Sequence, residues 1–255
     1  ALQANVDAAV AEMNRTLADD KRAMREWQDI SRGWDEIKRS VQGWSQPQSY
    51  QAHTALIGEL LNFQTLLSDA YGLTFDPEPQ TYYLMTTAVN RLPFLIERLG
   101  RLRGSASAML ARGEISDEQR TALIVVTEEI RSATVEMERS MEKVIAQRPE
   151  LQTQLNRAVA TLRERGEAVD RVVQGMVVRG DFSSTSSAQF FDMTTEAIGI
   201  GYTQMYDVLL PSLDQLLQQR IDDARQMLLG NLAMLLGGLA VIGYLSVGAY
   251  LSVMT

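Results

Sequence analysis

PQTYYLMTTAVNRLPFLIERLGRLRGSASAMLAR, Pro79 to Arg112, is the stretch from which the fold is read. Met85, Ala88, Val89, Leu92, Leu95, Ile96, Leu99 and Leu102 recur at steps of three and four, which puts them on one face of an α-helix. Pro79 suits a first helical turn, Gly113 ends the run, and Pro93 predicts a kink inside it. A helix this long, apolar on one stripe only, needs helical partners.

Partners lie on both sides. Toward the C-terminus, Ser116-Asp117-Glu118 reads as a cap, followed by Leu123, Val126, Ile130, Met137, Met141 and Val144 on one stripe. Arg148-Pro149-Glu150 breaks that helix. The next carries Leu151, Leu155, Val159, Leu162, Val169, Val173 and Met176. RGDFSSTSS, Arg179 to Ser187, is a loop, and its RGD triplet is read as an accident of a turn. From Ser187 a last helix has Phe191, Ile198, Tyr202, Met205, Leu209, Leu213 and Leu216 as its seam, with a kink expected at Pro211.

Toward the N-terminus, GLTFDPEPQ separates the central helix from one expected over Tyr50 to Tyr71. Before it, Val6, Val10, Met13, Leu17, Met24, Trp27, Trp34, Val41 and Trp44 keep a heptad-like spacing. They predict one straight helix over the first 44 residues, roughly 65 Å long, which Pro47 terminates. Asp20, Ser31 and Lys38 fall on its seam and are read as setting register, with a ligand role for Asp20 or Lys38 the lesser alternative.

The expected fold is therefore all-α: a six-helix antiparallel bundle arranged as two stacked four-helix modules, with a C-terminal transmembrane helix. Residues 1–226 form the helical ligand-sensing domain and 227–255 the membrane helix. Met227 to Thr255 contains no charged residue, and a bilayer crossing needs about 20 apolar residues. Arg220, Asp222, Asp223 and Arg225 flank its near side, and without a far flank to compare, the positive-inside count leaves its orientation open. The chain opens at Ala1 without an initiator Met and is read as a fragment or processed product.

Composition removes several function classes. A net charge of −8 with no basic stripe argues against nucleic acid. The absence of cysteine excludes thiolate chemistry and disulfides, and a single histidine, His53, leaves no metal or triad constellation. No Glu-x-x-His pattern of the di-iron kind is present. Neither an enzyme, nor a cofactor, nor a metal is expected.

Leu73 to Met85, LTFDPEPQTYYLM, resembles a signature of the helical sensor regions of bacterial methyl-accepting chemotaxis receptors and related sensor kinases. Arg91-Leu92-Pro93 and Leu102-Arg103-Gly104 are similar to that group as well, and Gly243 to Met254 resembles second membrane helices leading into a HAMP linker. Six helices suggest its helical bimodular type. Glu78-Pro79-Gln80 departs from the more acidic stretch expected there. The resemblance implies a homodimeric receptor of the bacterial inner membrane, its sensing domain periplasmic, binding a small molecule and signalling through the last helix. The input domain of a sensor histidine kinase, or a membrane-anchored stalk that docks another protein, are the alternatives.

The ligand-binding candidates are Asp76, Tyr82, Tyr83, Arg91 and Arg98. Their structural reading is a cap from Asp76, rings of Tyr82 and Tyr83 filling a junction, and arginines with Glu97 on a solvated face. Their functional reading is tyrosine hydroxyls and arginine forks converging on a small anion, with Arg91 leading and Arg98 and Arg101 extending the face. An organic acid, such as a dicarboxylate, is the ligand expected.

Overall fold

The computed structural model describes residues 2–254 and is all-α, with seven helices among them. They are α1 (Leu2–Thr16), α2 (Lys21–Ser40), α3 (Gln46–Ala70), α4 (79–112), α5 (Asp117–Gln147), α6 (152–179) and α7 (Ser187–Met254). Two units divide the chain, one closing at Pro211 and the other opening at Ser212.

The single long first helix is not found. The chain turns at residues 17–20, because the Asp20 carboxylate accepts the amides of Arg22 and Ala23 and caps a new helix. α2 then folds back along α1. Trp27 Nε1 donates to Asn14 Oδ1 at 2.8 Å and Trp34 Nε1 to Asp7 Oδ1 at 2.9 Å. The unbroken spacing in sequence was thus two apolar stripes facing each other across a hairpin. Asp20 is a cap, and Lys38 is held by Asp7 at 2.8 Å and Asp35 at 2.9 Å. Leu17, Ala23, Trp27, Ile30 and Phe63 form the core of the α1–α3 layer.

Pro47 begins a helix where it was expected to end one. Ser45 and Gln48 make a reciprocal capping box, and the proline sits in the first turn of α3, where no amide partner is lost. Pro93 and Pro211 produce something other than plain kinks. Each lies just after a π turn, Thr86–Arg91 in α4 and Met205–Leu209 in α7. Widening the preceding turn removes the clash between a proline ring and the carbonyl four residues back.

α4, α5, α6 and α7 close a four-helix bundle. Its core includes Leu84, Met85, Leu92, Leu102, Leu123, Met137, Leu155, Met176 and Phe190, all nearly solvent-free. The α1–α3 layer lies lengthwise beside α4. Thr65 on α3 reaches Asn90, and a Cβ on Gly104 would meet the Tyr50 ring at 3.3 Å. This is a bundle with a lateral layer, where two stacked four-helix modules had been expected. On α7 the buried face is Phe190, Thr194, Ala197 and Gly201, one position off the expected Phe191, Ile198 and Tyr202.

In the second unit, Met227 to Met254 is helical, uncharged and exposed throughout. It is long and apolar enough to cross a membrane.

Candidate functional site

Two polar clusters are built around arginines of α4. The first is the seam of α4 and α5, which holds most of the residues singled out in the sequence. Tyr82 and Tyr83 stack edge to face at 5.2 Å. The Tyr83 hydroxyl accepts from Lys143 Nζ at 3.0 Å, and the same ammonium lies 4.3 Å from the ring centre. Arg91 donates to Ser140 Oγ and to the Glu136 carbonyl at 3.3 Å, with Glu136 Oε2 at 3.6 Å from its Nε. Arg98 Nε stands 2.5 Å from Glu129 Oε2. Tyr83, Arg91 and Arg98 therefore form one ladder between helices. Asp76 is placed apart from it, accepting the Glu78 amide at 2.9 Å where the chain enters α4. Lys143 carries no local signal in the sequence, since only the antiparallel pairing of α4 with α5 brings it to Tyr83.

The second place is a cleft of about 600 Å3 between the α1–α3 layer and the face made by α4 and α7. Val10, Met13, Trp34, Leu60 and Ile198 make its walls largely apolar. Arg103 reaches it from α4, half-buried, one position off the apolar stripe. Its Nη1 donates to Thr195 Oγ1 at 2.9 Å, and its guanidinium stacks on Phe191 at 4.7 Å. Among the described residues no carboxylate pairs with it, which sets it apart from Arg91 and Arg98. Tyr202 and Tyr206 stack on each other at 6.4 Å along the same wall. Glu97 lines the cleft six residues before Arg103; burial pushes its carboxyl up, opposed by the charges of Arg101 and Arg98.

A guanidinium with no carboxylate partner, stacked on a ring and facing an apolar wall, suits a small, weakly hydrated planar anion. The family described as nitrate and nitrite sensing matches residues 1–228 of this chain. The chain belongs to the nitrate- and nitrite-sensing family. Members of this family are extracytoplasmic helical sensor domains of receptors and kinases. The sensor role expected from Leu73–Met85 and the layout of the chain holds at that level, while an organic acid as ligand gains nothing from the family. The nitrate- and nitrite-sensing domain occurs in histidine kinases and other receptors alike, so membership does not single out chemotaxis. No curated protein and no solved structure matches the chain.

Proposed function

We propose that this chain is the periplasmic sensor of a bacterial inner-membrane receptor, binding nitrate or nitrite at the Arg103 end of the cleft. Arg103 is the observation that carries the reading, because its charge is not spent on a carboxylate: its Nη1 donates to the neutral Thr195 hydroxyl and its guanidinium stacks on Phe191 beside a largely apolar wall. The planar fork of a guanidinium donates two parallel hydrogen bonds to two oxygens of a planar oxyanion. A dicarboxylate asks for a second unpaired cation, and Glu97 stands on the same wall instead.

The anion acts by preferring one packing of α1–α3 against α4 and α7, since a ligand shifts an equilibrium only by its differential affinity for the two states. In this reading α7 carries that shift to the membrane segment over residues 227–255. The receptor works as a homodimer, feeding a chemotaxis or kinase output, and the domain itself performs no catalysis. A second reading places the anion on the α4–α5 ladder of Tyr83, Arg91 and Arg98, with Tyr82 at its N-terminal end. The Lys143 ammonium at the Tyr83 hydroxyl favours it.

The test is thermal unfolding and calorimetric titration of the full chain in detergent micelles with nitrate, nitrite, chloride and succinate. At 100 times its dissociation constant, a ligand stabilises the fold by about 2.7 kcal/mol. Nitrate binding lost in Arg103→Ala and kept in Arg91→Ala supports the cleft, and the reverse pattern moves the site to the ladder. Stabilisation by succinate without any by nitrate or nitrite overturns the ligand assignment.

A further inference from the structure

On the far side of the bundle from the α1–α3 layer, α5 and α6 border a half-open cavity of about 190 Å3. That is room for on the order of six waters, more than a packing defect, and below the roughly 300 Å3 of a pocket for drug-sized molecules. Its floor is Leu102, Ile130 and Val169, all buried. Gly166 opens it, since a Cβ built there meets no atom within 4 Å. Ordinary helix packing would fill that position with a side chain.

The mouth is bridged by two reciprocal ion pairs. Arg131 Nη2 of α5 lies 3.2 Å from Asp170 Oδ2 of α6, and Arg163 Nη1 of α6 lies 3.4 Å from Glu138 Oε1 of α5. On each helix the cation and the anion are two turns apart, so each partner faces its opposite. Glu167, 3.8 Å from Arg163, adds a third carboxylate to the lining. Three carboxylates around two guanidinium groups leave an excess of negative charge, which repels a free anion such as nitrate and attracts an ammonium group. The same two arginines still offer forks to a carboxylate. An apolar floor beneath adjacent acidic and basic groups is complementary to a small zwitterion with a hydrocarbon body.

We propose that this cavity is a second small-molecule site, separate from the Arg103 cleft, and that it takes an aliphatic α-amino acid. The side chain fills the void at Gly166. The ammonium replaces an arginine at Asp170 or Glu138, and the carboxylate takes the guanidinium so released, so no charge is left unpaired. Occupation ties α5 to α6 through the ligand in place of the direct ion pairs.

Equilibrium dialysis of the full chain in detergent micelles with radiolabelled leucine tests this. Saturable binding is expected, with 3-methylbutylamine and 4-methylpentanoate each competing at least about tenfold more weakly, since each lacks one of the two charged groups. Gly166→Leu should reduce leucine binding at least about tenfold while its nitrate response and helical circular dichroism stay as in the parent. The double variant Glu138→Gln with Asp170→Asn removes both carboxylates open to the ammonium and should weaken leucine without filling the cavity, which guards against a Gly166 variant that misfolds. No saturable leucine binding, binding undiminished in Gly166→Leu, or an analogue competing as well as leucine overturns the proposal. A failed nitrate response of the parent chain would count against the Arg103 cleft and leave the leucine result standing.

Discussion

A Cβ placed on Gly201 of α7 would stand 2.8 Å from Ile96 Cγ1 and 3.0 Å from its Cδ1 on α4. The helices that form the floor of the cleft therefore touch through a missing side chain. Ile96 is itself buried and cannot swing freely into solvent. Gly201→Ala should push α7 off α4 and destabilise the fold by about 1–3 kcal/mol, with Gly201→Val worse. Urea unfolding of the full chain in micelles checks the direction, and an alanine variant as stable as the parent would refute the contact.

Phe190 is fully buried at the N-terminal end of α7, while Phe191 beside it is 45% exposed and stacks under Arg103. Phe190→Ala should cost about 3–5 kcal/mol through loss of burial and an unfilled cavity. Phe191→Ala should cost far less in stability and instead loosen Arg103. Thermal melts of the two variants, with nitrate titration of the second, separate a core role from a positioning one.

Glu97 predicts a pH dependence of stability with a definite sign. Its folded carboxyl titrates above the ordinary glutamate range because burial disfavours the charge. Between the ordinary and the raised value the folded state binds more protons than the unfolded one, so this residue's contribution falls as pH rises through that window. Glu97→Gln should flatten that part of the stability profile and leave the variant relatively more stable at neutral pH. Melting curves from pH 4 to pH 8 on both proteins read the difference.

The uncharged run after Met227 should tolerate apolar exchange and reject charge. Ala240→Arg, near its middle, should raise the insertion cost by about 2.5–3.5 kcal/mol. Carbonate extraction of membranes expressing the full chain would show the variant released and the parent retained.

Much of this architecture was readable along the chain. The stripes of the α4, α5 and α6 helices are those seen in the sequence, and all but Val89, Val126 and Val159 of the residues named on them are buried. The break at Arg148-Pro149-Glu150 and the cap at Ser116 fall where the local chemistry put them. Reading failed where two conformations share one pattern. A heptad spacing across Asp20 is compatible with a straight helix or a hairpin, and the capping carboxylate decided for the hairpin. Pro47 ends one helix or starts the next depending on whether Ser45 caps, which a proline alone does not reveal.

The candidate site was less legible than the fold, for a different reason. Arg91, Arg98 and Arg103 are equivalent as letters on one helix, and all three are amphipathic neighbours of an apolar stripe. What separates them is whether α5 sets an acid opposite, as Glu136 and Glu129 do for the first two, or α7 sets Thr195 and Phe191 opposite, as for the third.

By itself the sequence determined the all-α class, most of the helix ends and the uncharged apolar run long enough to cross a membrane, since periodicity, capping chemistry and the absence of charge are properties of consecutive residues. Only the tertiary structure decided that α2 folds back on α1, that α7 buries Gly201 where Tyr202 was expected, and that Arg103 meets Thr195 and Phe191 where Arg91 and Arg98 meet acids. Those outcomes depend on what a neighbouring helix places opposite, and close packing selects the smallest side chain at a tight crossing even when a larger apolar one lies next to it.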